Sequence, residues 1–149
     1  MEKILKRGDF TITQNINFPG VITACSFVKR PGQDATWITG DMIAAYTTLH
    51  CLGYAHSSEA WLDGRLVGGC YGLLINNVFC GESMFTIVPN AAKAAFLTLA
   101  QQLFNVQGVR FIDCQVPTDH LCSLGGVVLN RAEFLELLYG AFAEEKHEN

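Results

Sequence analysis

The chain has 149 residues, of which half are hydrophobic and 16% are charged. This size and composition predict one domain over residues 1–149 with a single buried core, and they exclude a disordered chain. The net charge of -4 argues against a protein that coats nucleic acid, because such affinity comes mainly from neutralised phosphates. A local contact stays open at three basic clusters, although a solvated face is the simpler interpretation of each. The clusters are Lys3, Lys6 and Arg7; Lys29 and Arg30; and Lys93.

The cysteines and the ends of the chain indicate the compartment. No two cysteines form a CxxC pair, and their surroundings are apolar or strand-like, so we expect buried free thiols and no metal site. The first ten residues carry charges without an apolar run behind them, and no stretch approaches the length of a membrane span. We therefore expect a reduced, cytoplasmic monomer, and the lack of a GxGxxG or P-loop pattern predicts no cofactor. The cysteines are Cys25, Cys51, Cys70, Cys80, Cys114 and Cys122.

The first predicted elements are an edge strand and two helices. Residues 10–15 alternate apolar and polar side chains, as a short edge strand does. A helix is predicted over residues 19–28, with Pro19 at its start and Pro31 beyond its end. Thr39 is placed to cap a second helix, whose apolar positions follow helical spacing until Gly53.

The period of the pattern then changes to two, which predicts a three-stranded meander. Its strands cover residues 57–62, 66–75 and 78–85. Asp63-Gly64 and Asn76-Asn77 are suited to the tight turns between them, because these residue types tolerate positive φ angles.

After the meander, the pattern predicts a helix that returns the chain to the sheet. Asn90 is placed to cap this helix and Gly108 to end it. A strand at residues 110–116 then runs parallel to strand 78–85, since a helix between two strands of one sheet is a crossover. The fold class is therefore α/β (α+β): a GNAT-like acyltransferase domain with a mixed, mostly antiparallel sheet flanked by helices. The remaining predicted elements are a short helix at 117–124, a strand at 127–129, a helix at 131–142 and a frayed tail at 143–149.

Four side chains on two of these strands suggest a site. Glu82 and Met84 lie two residues apart on one strand, and Asp113 and Gln115 on another, so each pair is expected to share a face. Carboxylates beside an amide and a methionine suit a ligand that is both cationic and apolar. An exposed polar sheet face is the alternative interpretation.

Seven ordered segments resemble leucyl/phenylalanyl-tRNA-protein transferase. Together they cover most of the chain, from about residue 10 to 138, and their order makes the resemblance specific. The family implies transfer of Leu or Phe, and sometimes Met, from aminoacyl-tRNA to the N-terminal Arg or Lys of a protein, marking that protein for degradation. It also implies a GNAT-like catalytic domain. The segments are TWIT (36–39), LHCLGYAHSSEAW (49–61), LVGGCYG (66–72), FCGESMF (79–85), NAAKAA (90–95), IDCQVPTDHLCSLG (112–125) and RxxFL (131–135).

The chain departs from the family pattern in places that concern tRNA. The smaller N-terminal domain of the family, which helps to hold tRNA, is expected to be absent. Thr86-Ile87 stands where the family usually has Ser-Arg, and Ala92 where it has Ser. Losing the Arg removes a cation that meets a phosphate, so the resemblance supports the chemistry more firmly than tRNA binding.

The resemblance assigns roles to the candidate residues. Asp113 would orient or deprotonate the acceptor amine, Gln115 would hydrogen-bond the reacting groups, and Glu82 would order Gln115 or face the cationic acceptor residue. Trp37 and Tyr46 would lie at the 3′ end of the tRNA, where one stacked base is worth about 1–3 kcal/mol. The aminoacyl side-chain pocket would consist of Cys70, Phe79, Met84, Phe96, Leu99, Leu103 and Ile112.

Simpler interpretations stand beside these roles. Core packing explains the apolar set, and a tryptophan covering the core explains Trp37. Cys70 stands where the family tends to have a larger residue such as Met, which predicts a roomier slot that favours Phe. Two other functions remain open: a non-catalytic module that binds basic N-termini or aminoacyl ends, and an acyl-CoA-dependent acetyltransferase.

Overall fold

In a computed structural model, the chain folds into one five-stranded sheet with helices on both faces. The structure describes residues 10–29, 32 and 35–143. The predicted basic cluster at Lys3, Lys6 and Arg7, together with Arg30, Pro31 and tail residues 144–149, lies outside the described residues. The strands are β1 (Thr11–Gln14), β2 (Ala55–Leu62), β3 (Arg65–Ile75), β4 (Val78–Thr86) and β5 (Phe111–Asp113). The helices are α1 (Phe18–Ser26), α2 (Gly40–Cys51), α3 (Ala91–Asn105), α4 (Asp119–Ser123) and α5 (Arg131–Ala143).

The strands lie in sequence order, and only the last pair is parallel. β1 to β4 pair antiparallel, whereas β4 and β5 pair parallel through the crossover helix α3. The predicted mixed, mostly antiparallel sheet is confirmed. The turn at Asp63-Gly64 has positive φ angles of 50° and 73°, and Asn76 has 52°, as the residue types of these turns indicate.

Helix caps explain where the first helices begin. The Asn17 side chain accepts the backbone N–H of Gly20 at 3.1 Å, so α1 begins at Phe18 with Pro19 in its first turn. Thr39 caps α2 as predicted, since its hydroxyl accepts the N–H of Met42 at 3.3 Å.

The predicted Asn90 side-chain cap of α3 is wrong. Asn90 has a left-handed φ of 71°, and its side chain makes no capping bond. The Thr86 hydroxyl instead accepts the N–H of Ala92 at 3.4 Å. Thr86, one of the departures from the family pattern, therefore closes the start of the helix against β4.

Apolar clusters fill both faces of the sheet, and two of them bear on the candidate site. A third joins the start of α3 to β2 and β3 through Ala60, Val67, Ala91 and Ala95. The α1 cluster packs that helix and the partly buried face of α2 against Tyr71 and Phe85. The α3 cluster packs that helix against Cys70 and Phe79. Alternating side chains of β3 supply both clusters, which is the period-two pattern expected of a strand that is covered on both faces.

A β-bulge reverses the facing of side chains within β4. Tyr71 pairs with Ser83 and Gly72 pairs with Gly81, so Glu82 is an extra residue without a partner in β3. Alternation along β4 is therefore interrupted at Glu82.

Two predictions at the end of the sheet are wrong. β5 has three residues rather than seven, because Gln115 turns into a left-handed conformation with a φ of 65°. Residues 127–129 form no strand. The chain turns away after α4 at Gly125, which has a φ of 99°, and the Gly126 N–H donates to the Leu121 carbonyl oxygen. Val127 is consequently 79% exposed.

The prediction that all six cysteines are buried is only partly correct. Cys25 and Cys70 are buried, whereas Cys51 lies exposed at the last turn of α2 and Cys122 lies exposed on α4. All six are free thiols.

Candidate active site

The candidate site lies where β4 and β5 separate. Cys80 and Asp113 form the last parallel pair between these strands. Immediately beyond this pair, β4 bulges at Glu82 and β5 ends. The backbone N–H and C=O groups of β4 that would pair with a longer β5 can therefore form hydrogen bonds with side chains.

Asp113 and Gln115 form one hydrogen-bonded unit across this separation. The backbone N–H of Gln115 donates to Asp113 Oδ1 at 2.7 Å. Gln115 Nε2 donates to the Gly81 carbonyl oxygen on β4 at 2.9 Å. Gln115 is the only residue other than Asn, Asp and Gly with a positive φ in the part of the chain that the structure describes. Because such a conformation costs about 1–2 kcal/mol, these two bonds must hold Gln115 in place.

Asp113 and Gln115 therefore lie close together for a reason other than the predicted one. The prediction assumed an extended strand through both residues, whereas the strand ends at Asp113. The two residues still lie together, because the carboxylate accepts the turn's N–H and the amide reaches back to β4. Gln115 is exposed and Asp113 is partly exposed, so both side chains are accessible.

Glu82 and Met84 do not share a face, which corrects the prediction. Met84 pairs with Cys70 and packs against the α3 cluster. The Glu82 carboxylate instead hydrogen-bonds with the hydroxyl of Tyr46, which packs against the α1 cluster. The bulge at Glu82 is the physical reason, because one extra residue moves the side chains on its two sides to opposite faces.

The electrostatics of Glu82 connect it with Asp113. Burial raises the pKa of the Glu82 carboxyl, the Tyr46 hydrogen bond lowers it, and the Asp113 charge raises it. Burial, together with the Glu82 charge and hydrogen bond, raises the pKa of Tyr46 to about 12. Glu82, Tyr46 and Asp113 thus form an acidic group that a cation would stabilise.

All seven residues predicted for the apolar pocket belong to the α3 cluster. Four of them are 4% exposed or less, so they form core. Met84, Phe96 and Ile112 are partly exposed and mark the open side of the cluster. The polar unit is linked to this cluster through the backbone: Ile112 precedes Asp113 on β5, although their side chains face opposite sides of the sheet, and Gln115 bonds to Gly81, two residues beyond Phe79. The buried four are Cys70, Phe79, Leu99 and Leu103.

Trp37 and Tyr46 are in contact at the rim of the α1 cluster. Their rings meet edge to face with centroids 6.5 Å apart, and Tyr46 meets Tyr71 in the same way at 5.6 Å. Both are partly buried. They therefore pack on the core, and Tyr46 links the pair to Glu82.

Sequence reasoning missed Cys80 and Gly81. Burial, followed by the charges of Asp113 and Glu82, raises the pKa of the Cys80 thiol, so this thiol lies within the acidic group. Gly81 supplies the carbonyl that binds Gln115. Pairing strand 78–85 with strand 110–116 in parallel register would have found Cys80, whereas the contact to Gly81 depends on the turn after Asp113.

Other features bear on the kind of site. Among the described residues, no three His, Cys, Asp or Glu side chains are grouped to hold a metal ion. None of the helices in the described ranges is long and apolar enough to cross a membrane.

The architecture is that of GNAT acyltransferases. The aminoglycoside N-acetyltransferase AAC(6′)-Iy, in complex with a CoA-containing bisubstrate analogue, superposes with a TM-score of 0.51 over 82% of this chain and 97% of that chain. A second structure of this enzyme, with CoA, gives 0.50 over 82% and 93%. Sequence identity is 16% in both comparisons, so the likeness concerns the fold alone.

The sequence comparisons identify a family, which is more specific than the fold. The family model described as leucyl/phenylalanyl-tRNA protein transferase matches residues 1–139, and the chain belongs to this family. It is 50% identical over 141 residues to the leucyl/phenylalanyl-tRNA–protein transferase of Syntrophotalea carbinolica, covering 95% of this chain and 61% of that protein. The corresponding protein of Myxococcus xanthus is 46% identical over 144 residues, covering 97% and 61%. That of Saccharophagus degradans is 51% identical over 138 residues, covering 93% and 56%. The chain thus spans about three fifths of the length of these relatives.

Proposed function

We propose that this chain carries an aminoacyl-transfer site. It moves Leu or Phe, and sometimes Met, from charged tRNA to the N-terminal Arg or Lys of an acceptor protein, which marks that protein for degradation in the cytoplasm. One observation supports this most directly: the Gln115 amide is hydrogen-bonded to the carbonyl oxygen of Gly81, which lies on β4 two residues beyond Phe79 of the α3 cluster. A polar reacting centre next to an apolar slot suits an ester whose acyl group bears an apolar side chain.

The reaction makes one bond and breaks one. The α-amine of the acceptor attacks the ester carbonyl, a C–N bond forms, and the C–O bond to the tRNA ribose breaks. The amine loses a proton and the ribose oxygen gains one, so no oxidant or cofactor is required. Because an α-amine has a pKa of about 7.7–8.0, a usable fraction is neutral near pH 7, and positioning supplies most of the rate.

Gln115 and Asp113 position the attacking amine. With Gln115 Nε2 bound to Gly81, its amide oxygen is the acceptor that faces a substrate N–H. The Asp113 carboxylate holds the Gln115 backbone through Oδ1, and its second oxygen is placed to receive the amine or its proton.

Glu82 and Tyr46 bind the cationic side of the acceptor. A guanidinium or ammonium group would offset the burial that disfavours the Glu82 charge. The Tyr46 hydroxyl orients that carboxylate, and the adjoining Trp37 ring is available for the terminal adenine of the tRNA.

The α3 cluster receives the aminoacyl side chain at its open side. Met84, Phe96 and Ile112 border this opening, and Met84 is a wall that adapts to different apolar groups. The small Cys70 side chain opposite Met84 favours the larger Phe.

A transfer assay tests this function. The protein is incubated with Phe-tRNA or Leu-tRNA and with peptides that differ only in an N-terminal Arg or Ala. We expect an adduct with the Arg peptide and a large loss in Asp113→Ala. Asp119→Ala is the matched control, because Asp119 is an exposed carboxylate on α4.

The same assay distinguishes the alternatives. Peptide binding without an adduct would indicate a non-catalytic module, and acetylation of the peptide from acetyl-CoA would indicate an acetyltransferase. Absence of transfer from tRNA under conditions in which a longer relative is active would contradict the proposal.

A further inference from the structure

Gly81 has open space over its Cα at the point where β4 and β5 separate. Among the described residues other than its chain neighbours, an added Cβ would meet only the Asp113 carbonyl oxygen, at 3.6 Å. This is an ordinary van der Waals distance. Gly81 also lacks a positive φ, so its backbone conformation does not require glycine. The fold therefore has room for alanine where the chain has glycine.

Other glycines of the sheet are explained by packing. A Cβ on Gly68 would lie 2.7 Å from the Ala92 backbone nitrogen of α3. A Cβ on Gly72 would lie 2.6 Å from the Phe79 ring. No such contact explains Gly81, although glycine within a strand costs about 0.5–1 kcal/mol relative to alanine. Glycine in a strand also marks places where a ligand approaches the backbone closely.

The open space lies between the two parts of the candidate site. Gly81 is two residues beyond Phe79 and precedes the bulge, so its open side is on the face of the α3 cluster. Its carbonyl oxygen binds the Gln115 amide. A ligand lying over Gly81 would therefore contact the apolar slot on one side and Gln115 on the other.

We infer that Gly81 is a substrate-positioning residue that forms the floor under the aminoacyl ester. Its missing side chain lets the α-carbon and carbonyl of the aminoacyl group lie against the β4 backbone, with the apolar side chain in the α3 cluster and the carbonyl beside Gln115. The ligand class is an aminoacyl ester on a 3′-terminal adenosine. This inference rests on the proposed function for the identity of the ligand.

The test uses Gly81→Ala and a stable amide analogue of the charged tRNA end, 3′-phenylalanylamido-adenosine. We expect Gly81→Ala to melt within about 2 °C of the wild type. Its affinity for the analogue, measured by calorimetry, should fall at least about tenfold, as should kcat/KM for transfer. Gly140→Ala is the control, because it also adds a Cβ in open space, but on α5, and should keep both values.

Backbone NMR of the wild type provides a second measurement that does not depend on a variant. The Gly81 amide resonance should shift when the analogue binds. Unchanged affinity and turnover in Gly81→Ala, an unshifted resonance, or no binding by the wild type would each overturn the inference. If the wild type binds the analogue and Gly81→Ala does not, but neither transfers, the inference stands and the proposed function fails.

Discussion

Two substitutions, Asp113→Asn and Asp113→Ala, separate the role of Asp113 in holding Gln115 from its role as a base. The carboxylate accepts the Gln115 N–H at 2.7 Å and thereby holds Gln115 in a left-handed conformation. Asp113→Asn keeps an oxygen for this bond but removes the charge and the basicity. Asp113→Ala removes the acceptor altogether.

The size of the two effects follows from the strength of the bond. A hydrogen bond to a charged group is worth about 1.5–3 kcal/mol and a neutral one about 0.5–1.5 kcal/mol. The left-handed conformation of Gln115 opposes either bond by about 1–2 kcal/mol. Asn replaces the charged bond by a neutral one and so loses about 1–1.5 kcal/mol of the energy that holds the turn, which should lower transfer about tenfold. With Ala the turn is lost, and transfer should fall about 100-fold or more.

The assay is kcat/KM for Phe transfer to an Arg-starting peptide, measured near pH 7 and pH 8.5. If Asp113 mainly positions Gln115, the Asn variant should exceed the Ala variant about tenfold at both pH values. If Asp113 is chiefly a base, the two variants should be equally impaired near pH 7. Both should then recover at high pH, where the amine is already neutral. Equal losses with such recovery would refute the positioning argument.

Further substitutions test the electrostatics and packing of the protein. Glu82→Gln should raise the free energy of unfolding near pH 7 by at most about 1 kcal/mol, because burial raises the Glu82 pKa and exposure screens the effect. A carboxyl whose pKa is raised in the folded state destabilises the protein as the pH rises. The gain in unfolding free energy from Glu82→Gln should therefore vanish under acidic conditions, where the carboxyl is protonated in both the folded and the unfolded state. Gly72→Ala should lower the unfolding free energy by about 1–3 kcal/mol in urea denaturation, whereas Gly140→Ala should raise it by about 0.5–1 kcal/mol. Cys70→Met should fill the slot and shift the Leu-to-Phe preference toward Leu by about tenfold in competitive transfer assays.

Matched variants make these outcomes interpretable. Glu136→Gln on exposed α5 is the matched carboxyl-to-amide control for Glu82→Gln. A gain from Glu82→Gln that persists at low pH would show that packing, rather than charge, is responsible. An unaltered Leu-to-Phe ratio in Cys70→Met would place the aminoacyl side chain outside the α3 cluster.

The sequence by itself determined the elements whose order and period are local properties. The period-two meander, the turns at Asp63-Gly64 and Asn76, and the Thr39 cap all depend on residues a few positions apart. The crossover helix was sufficient to predict the parallel pair that brings strand 78–85 beside Asp113. The resemblance named the seven apolar residues, and the structure groups them in the α3 cluster.

Only the tertiary structure decided how the polar residues of the site are arranged. A bulge in β4 separates Glu82 from Met84, because Glu82 is an extra residue opposite the step from Tyr71 to Gly72 in β3. The turn at Gln115 ends β5, and it exists because a carbonyl of β4 lies within reach of the Gln115 amide. Each of these features couples residues that are distant along the chain or belong to different strands. Local patterns average over such couplings, so the sequence indicated the strands that carry the candidate residues, but the packing of the strands decided which side chains meet there.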